Sequence, residues 1–196
     1  MKDIIRKVLT EVLDTMYQQF WPSVILTILI MFFVMYAGEK GWKQIVKKWI
    51  ENFKTNQDFR KQTILIFYVT MILFRTVLNR NVWRAPLSNV LGTWWFYYED
   101  GTVSTEAAQN LVLFIPFIFL LFWALCKEIF KGKVTFCRVL GKAFIVSLCF
   151  TLSIEFAQLF LRLGTFQLSD IFYNTLGGLI GGLIYWLAYK ISHRRN

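Results

Sequence analysis

The sequence predicts an all-α integral membrane protein with about five transmembrane helices. Hydrophobic residues make up 56% of the 196 positions and 20 residues are phenylalanine, which is more apolar surface than a soluble domain of this size needs. A transmembrane helix requires about 20 mostly apolar residues. Five segments fit this requirement: Trp21 to Gly38, Thr63 to Asn79, Ala107 to Cys126, Ala143 to Leu161, and Ile171 to Tyr189.

The chain before the first span predicts a separate amphipathic helix. Apolar residues recur at helical spacing through residues 1–20, which is typical of a helix lying in the membrane interface. Pro22 suits the first turn of the helix that follows. Residues 21–62 then form the first span and a basic cytoplasmic segment. In that segment apolar residues again share one helical side, which predicts a second interfacial helix: Trp42, Ile45, Val46, Trp49, Ile50 and Phe53.

The basic residues predict the orientation. The net charge is +10, and most of the 22 Lys and Arg residues lie in three segments on one side of a five-span chain: 39–62, 127–142 and 190–196. The opposite loops contain only Arg80, Arg84 and Arg162. Because cytoplasmic loops are enriched in Lys and Arg, we expect the C-terminus inside and the N-terminus outside. The charge is then explained by topology and anionic lipid, and we expect no nucleic-acid partner.

Polar residues from four spans are expected at one depth, near the outer ends of their helices. They are Arg75, Gln109, Asn110, Glu155, Gln158, Arg162, Asp170 and Asn174. An ionisable side chain at the centre of a membrane helix costs roughly 2.5–3.5 kcal/mol, so such groups face the bundle interior and pair. We expect Glu155 to pair with Arg75 or Arg162. The alternative is that these pairs only hold the spans together, because buried ion pairs can specify packing without chemistry.

Glycines in the last span predict a helix-packing face. The sequence "GGLIGG" places Gly177, Gly178, Gly181 and Gly182 four residues apart in pairs. Small residues at this spacing let two helix backbones approach closely in lipid. We therefore expect these glycines to fix the last span against a neighbour, and with it the direction of Asp170 and Asn174.

The loop between the second and third spans is rich in aromatic residues: Trp83, Trp94, Trp95, Phe96, Tyr97 and Tyr98. One interpretation is an aromatic belt at the level of the lipid headgroups. The other is a lid over the polar residues that stacks on a sugar or an aromatic ligand. Pro86 would stiffen the entry of this loop, and Glu99, Asp100 and Gly101 predict a turn.

Three blocks of this chain resemble the VanZ-like membrane proteins, which are associated with teicoplanin resistance in Gram-positive bacteria. The blocks are "RAPLSNV", "NLVLFIPFIFLL" at 110–121 and "SLCFTLSIEFAQLFLRLGTFQLSDIFYNTLGGLIGG" at 147–182. Positions that fit the family pattern are Asn110, Pro116, Glu155, Gln158, Arg162, Asp170, Asn174 and Gly177. The resemblance covers roughly residues 63–188 and departs from the pattern at Ile118, where the family usually has glycine.

The resemblance implies a multi-pass protein of the bacterial cell membrane, with a VanZ-like four-helix domain over residues 63–190 and a basic cytoplasmic tail over 191–196. It also implies lowered susceptibility to teicoplanin-type lipoglycopeptides. The partners would be membrane lipids, a lipid-linked cell-wall precursor or the lipoglycopeptide itself. No cofactor and no metal site is expected.

Three hypotheses remain open. In the first, the polar layer binds a lipid headgroup, with Arg75, Arg84 and Arg162 on its anionic group and the carboxylates and amides on its sugar or amine. In the second, the protein is an enzyme that modifies a lipid headgroup or wall precursor, with Glu155 and Asp170 as the acid/base pair. In the third, it is a transporter or flippase, although the inner halves of the spans offer few polar groups.

Overall fold

The computed structural model is helical, and it describes residues 2–36, 41–94 and 104–193. Within these ranges the helices are α1 (Lys2–Tyr36), α2 (Trp42–Thr55), α3 (Gln57–Leu73), α4 (Glu106–Ala124), α5 (Cys126–Phe130), α6 (Phe136–Leu161) and α7 (Leu168–Ser192). A π-helical segment, Phe74–Leu78, continues α3. No strand occurs in the described part of the chain.

Five of these helices are long and apolar enough to cross a membrane, which confirms the predicted fold class. The candidate spans are Ile5–Met35, Gln57–Leu78, Glu106–Ala124, Phe136–Leu161 and Leu168–Ser192. Their outer faces carry large apolar side chains: Phe33 is 71% exposed, Ile145 is 60% exposed and Phe160 is 79% exposed. Such a surface fits contact with lipid, because soluble monomers rarely expose extended apolar patches.

The N-terminal residues do not form a helix of their own, which corrects the predicted boundary before Pro22. Instead, α1 runs through Pro22 without a break. A proline is tolerated inside a membrane helix when neighbouring groups compensate for the missing backbone hydrogen bond. Just beyond the proline, polar contacts join α1 to α3: the hydroxyl oxygens of Thr27 and Thr70 lie 3.1 Å apart, and Thr27 donates to the carbonyl of Ser23 at 2.7 Å.

The amphipathic helix predicted in the basic segment is present as α2. Its residue Ile45 is 1% exposed, and its apolar side lies against α1 and α3. The lysines of α2 are exposed away from this apolar side, as in an amphipathic helix.

The glycines of α7 contact two neighbouring helices. A Cβ atom at Gly177 or Gly181 would lie 2.2 Å or 2.3 Å from a backbone carbonyl oxygen of α4. A Cβ atom at Gly182 would lie 2.7 Å from the Cβ of Ala143 in α6. Helix α7 is therefore packed at backbone distance against α4 and directly against small side chains of α6, because its glycines present no side chain on either face.

The apolar core lies between α3, α4, α6 and α7. Its members include Ile72, Phe114, Phe117, Ile118, Phe122, Val139, Ile154 and Tyr185. Ile118 is fully buried and packs beside Gly178, which provides the space that a side chain at this position needs. Small buried polar side chains such as Ser147 and Thr151 lie along the spans, whereas Arg75, Gln158 and Asp170 gather at one end of the bundle.

Candidate functional site

A polar cavity of about 210 Å³ lies at the end of the bundle where α3 and α6 finish and α4 and α7 begin. Two guanidinium groups, two carboxylates, four side-chain amides and a hydroxyl group line it: Arg75, Arg80, Glu106, Asp170, Gln109, Asn110, Gln158, Gln167 and Thr165. Because its lining charges are formally balanced, the cavity can bind a group that carries both an anionic and a cationic part.

Arg75 is positioned by the π-helical segment and by α1. Its guanidinium donates to the hydroxyl of Thr15 at 2.9 Å and to the side-chain oxygen of Gln109. π-helical turns are rare and are found frequently at functional sites. The two contacts hold Arg75 between α1 and α4 and keep its planar group at the wall of the cavity.

Glu11 of α1 extends this network. Its carboxylate accepts from the hydroxyl of Thr105 and from the side-chain amide of Gln109. Gln109 also donates to Thr105 at 2.9 Å. The N-terminal third of α1 is therefore attached to the start of α4, and a carboxylate from outside the predicted polar layer supports one wall of the site.

Gln158 connects α6 to the end of α3. Its amide donates at 2.8 Å to the carbonyl oxygen of Thr76, one of the carbonyls left without a partner at a helix end. Its side chain is 4% exposed. Gln158 thus satisfies the terminal backbone of α3 and lines the cavity at the same time.

Glu155 lies behind the cavity and does not line it. It is 1% exposed, and its carboxylate accepts from the backbone N–H of Gln167 at 2.8 Å. Neither Arg75 nor Arg162 forms an ion pair with it in the described part of the chain, so the expected pairing is wrong. The carboxylate instead holds the α6–α7 loop at the position where α7 begins.

Asn174 is also removed from the cavity. Its amide donates to the hydroxyl of Thr151 in α6 at 2.9 Å, and it is 4% exposed. The contact joins α6 and α7 one turn below Asp170. Asn174 therefore fixes the helix that presents Asp170 and does not face the same space.

Two loops cover this end of the bundle and are joined by backbone hydrogen bonds. The N–H of Trp83 donates to the carbonyl of Arg162 at 2.6 Å, and the N–H of Phe166 donates to that of Pro86 at 2.9 Å. Further along, the hydroxyl of Tyr173 donates to the carbonyl of Trp94 at 2.8 Å. The loop between α3 and α4 is thereby attached to the loop that contributes Thr165 and Gln167 to the cavity.

Comparison with known proteins assigns the family. The model of the VanZ-like family, described as VanZ/LLP1, matches residues 23–189. The chain belongs to the VanZ-like family. This makes it a multi-pass membrane protein of a family associated with teicoplanin resistance. The match begins at residue 23, well before residue 63, where the resemblance was expected to start. No curated protein and no solved structure matches the chain.

The VanZ-like fold brings together part of the predicted site. Five of the predicted residues share the cavity: Arg75, Gln109, Asn110, Gln158 and Asp170. Arg84 and Arg162 do not line it. Both side chains are exposed, and Arg162 ends α6 in a left-handed conformation with φ 55°.

Four lining residues and one supporting residue were not predicted. Arg80, Glu106, Thr165 and Gln167 line the cavity, and Glu11 supports it through Gln109. The sequence could not show that Arg80 lines the cavity and Arg84 does not, because both lie in a loop whose path the sequence does not specify. The aromatic residues 95–98 and the predicted turn at 99–101 lie outside the described residues.

Proposed function

We propose that this VanZ-like protein binds a lipid headgroup in the polar cavity at the outer leaflet and thereby lowers susceptibility to teicoplanin-type lipoglycopeptides. One observation carries the proposal: two arginines, two carboxylates and four amides line one cavity at the end of a bundle of membrane-spanning helices. Polar groups placed in this way at membrane depth usually mark a binding or transport site.

The charges of the cavity define the class of headgroup. Arg75 and Arg80 offer the planar donors that bind phosphate oxygens in pairs. Glu106 and Asp170 offer acceptors for an ammonium or for sugar hydroxyls. A lipid phosphate next to an amine or a sugar satisfies both sets, whereas a headgroup with phosphate alone would leave the two carboxylates facing its negative charge.

The resemblance supplies the consequence for the antibiotic. Teicoplanin anchors its acyl tail in the outer leaflet, where lipid-linked wall precursors are also displayed. Binding of one of these lipids would alter how the leaflet presents the target. Vancomycin lacks such a tail, so this mechanism predicts protection that is stronger against teicoplanin than against vancomycin.

The enzyme hypothesis receives less support from the geometry. Its acid/base pair was Glu155 and Asp170, but only Asp170 lines the cavity and Glu155 is held by Gln167. A polar path through the bundle also finds little support along α4. Beyond the cavity this helix buries Phe114, Phe117 and Phe122.

The proposal is tested by drug susceptibility in cells that express the wild type, Arg80→Gln, Asp170→Asn, Arg162→Gln or an empty vector. Arg162→Gln is the matched control for Arg80→Gln, because it removes the same charge from an exposed residue outside the cavity. Membrane levels of each variant are measured in parallel.

We expect the wild type and Arg162→Gln to protect against teicoplanin, and the two cavity variants to lose protection at equal membrane levels. If all four proteins protect equally, headgroup binding in this cavity is not the function. If Arg162→Gln fails together with Arg80→Gln, net charge explains the effect, and the cavity is not required for it.

A further inference from the structure

A second, apolar crevice adjoins the polar cavity. It encloses about 110 Å³ between α1, α3 and α4, and Arg75 and Gln109 line both spaces. Apart from the hydroxyl of Thr15, its other walls are apolar side chains and a tyrosine ring: Val12, Met16, Tyr68, Val112, Leu113 and Pro116. The two spaces therefore meet at one pair of polar side chains, which are hydrogen-bonded to each other.

The crevice extends from the polar end of the bundle toward its middle. Along α4 it runs from Gln109 to Pro116, about 10 Å at 1.5 Å per residue. Along α3 it runs from Arg75 back to Tyr68, the same distance in the same direction because the two helices are antiparallel. Polar groups at the helix ends and apolar walls nearer the middle repeat the order of headgroup and acyl chain in a membrane lipid.

The crevice has an opening toward the lipid-facing surface. Met16 on α1 is 44% exposed and Val112 on α4 is 38% exposed, although both line the crevice. Above this opening α1 is attached to the site by polar contacts, Arg75 to Thr15 and Glu11 to Gln109. A chain can therefore enter sideways between α1 and α4 beneath a closed polar end.

We propose that this crevice holds the upper part of an acyl chain of the same lipid whose headgroup occupies the polar cavity. The inference rests on the proposed function and specifies its ligand as an intact membrane lipid that enters from the side. An apolar cavity of about 150 Å³ binds a benzene-sized molecule, so about 110 Å³ accommodates a few methylenes. The rest of the chain stays in the bilayer.

The crevice contributes position more than affinity. Bilayer hydrocarbon is as apolar as the crevice walls, so transfer of a chain between them provides little hydrophobic free energy. Discrimination comes from the polar cavity, and the crevice sets the depth and direction from which the headgroup approaches Arg75.

The test uses the full-length protein in vesicles of phosphatidylethanolamine and phosphatidylglycerol. Two photoactivatable phosphatidylethanolamines are compared, one with the diazirine on the methylenes next to the ester and one with it on the headgroup. After illumination, the labelled peptides are mapped by mass spectrometry. We expect the chain probe to label the peptides around Met16 and Val112 above the lipid-facing surface around Phe160, and the headgroup probe to label residues 104–110.

Variants locate the chain. Val112→Trp and Met16→Trp fill the crevice from opposite walls, and either should reduce chain labelling in the crevice to the level found around Phe160. Ile145→Trp, on the lipid-facing side of α6, is the matched control and should leave the labelling unchanged. Having one variant on each wall keeps the test valid if one of them does not fold.

The outcomes separate the two proposals. Headgroup labelling of the cavity with chain labelling spread evenly around the bundle overturns the crevice inference and leaves headgroup binding standing. Even labelling by both probes overturns both. Chain labelling in the crevice without headgroup labelling of the cavity overturns the inference that one lipid fills the two spaces.

Discussion

The backbone contact between α4 and α7 gives the sharpest prediction, through the substitution Gly177→Ala. A Cβ atom at Gly177 would lie 2.2 Å from the carbonyl oxygen of Leu111 and 3.2 Å from its Cα. These are backbone atoms, so the contact cannot be relieved by a change of rotamer. Gly141 in α6 is the matched control, because a Cβ atom there meets nothing within 4 Å.

The magnitude follows from the distances. Ordinary contacts between heavy atoms begin near 3.5 Å, so α4 and α7 must separate locally by roughly 1 Å. Overpacking of this kind costs about 1–3 kcal/mol, partly offset by the ~1 kcal/mol that alanine gains over glycine in a helix. We therefore expect Gly177→Ala to lower the free energy of unfolding by up to about 2 kcal/mol. We expect Gly141→Ala to raise it by about 0.5–1 kcal/mol.

The same displacement should reach the cavity. Leu111 follows Asn110, and Asp170 lies two turns before Gly177 on α7, so separating the helices moves two lining residues apart. Thermal unfolding in lipid nanodiscs and teicoplanin protection at matched membrane levels measure the two effects. The reasoning is refuted if Gly177→Ala is at least as stable as Gly141→Ala, because backbone contact would then not limit the packing of α7.

Substitutions at three further residues test the polar end of the bundle. Arg75→Lys should lower the free energy of unfolding by about 1–3 kcal/mol and reduce teicoplanin protection. The reason is that an ammonium cannot match the planar contacts of the guanidinium to Thr15 and Gln109. An unchanged unfolding temperature would contradict this. Glu155→Gln should retain both fold and protection, because its amide oxygen still accepts from the N–H of Gln167. Glu155→Leu removes this acceptor and should lower the free energy of unfolding by about 1–3 kcal/mol. Loss of protection in a well-folded Glu155→Gln would instead support catalysis. Arg162→Gly should raise the free energy of unfolding by about 1 kcal/mol without changing protection, because the left-handed conformation at φ 55° suits glycine. A destabilised variant would show that the arginine side chain contributes to the fold.

The five spans and the shared depth of the polar residues could be predicted from the sequence for physical reasons. Apolar length specifies a membrane helix, and alternating direction places the end of one span beside the start of the next. This reasoning brought Arg75, Asn110, Gln158 and Asp170 to one end of the bundle, where they line one cavity.

Side-chain direction at the helix ends could not be predicted in the same way. Arg162 adopts a left-handed backbone conformation, and its carbonyl is joined to Trp83 by a contact 79 residues away in sequence. Glu155 lies on the same helical face as Gln158 by spacing, but a loop backbone, that of Gln167, comes between it and the cavity. Both outcomes depend on the path of the covering loops, which carries no periodic signal.

The missed role of α1 did have a signal in the sequence. Polar residues recur every fourth position across Pro22, at Glu11, Thr15, Gln19, Ser23 and Thr27. In the structure the last three of these are at most 6% exposed, so the polar row is buried. Such rows of residues four apart form the ridges with which packed helices interlock. A row that continues across a proline predicts one continuous helix whose polar side meets the bundle.

This row connects the family's common region to a part of the chain before it. The family match begins at residue 23, whereas Glu11 and Thr15 contact Gln109 and Arg75 from an earlier turn of α1. Their contacts close the polar end of the gap between α1 and α4, directly above the apolar crevice. Residues outside the family match thus help to shape both the wall of the cavity and the path by which a lipid could reach it. For that reason α1 is better regarded as part of the site than as a separate membrane anchor.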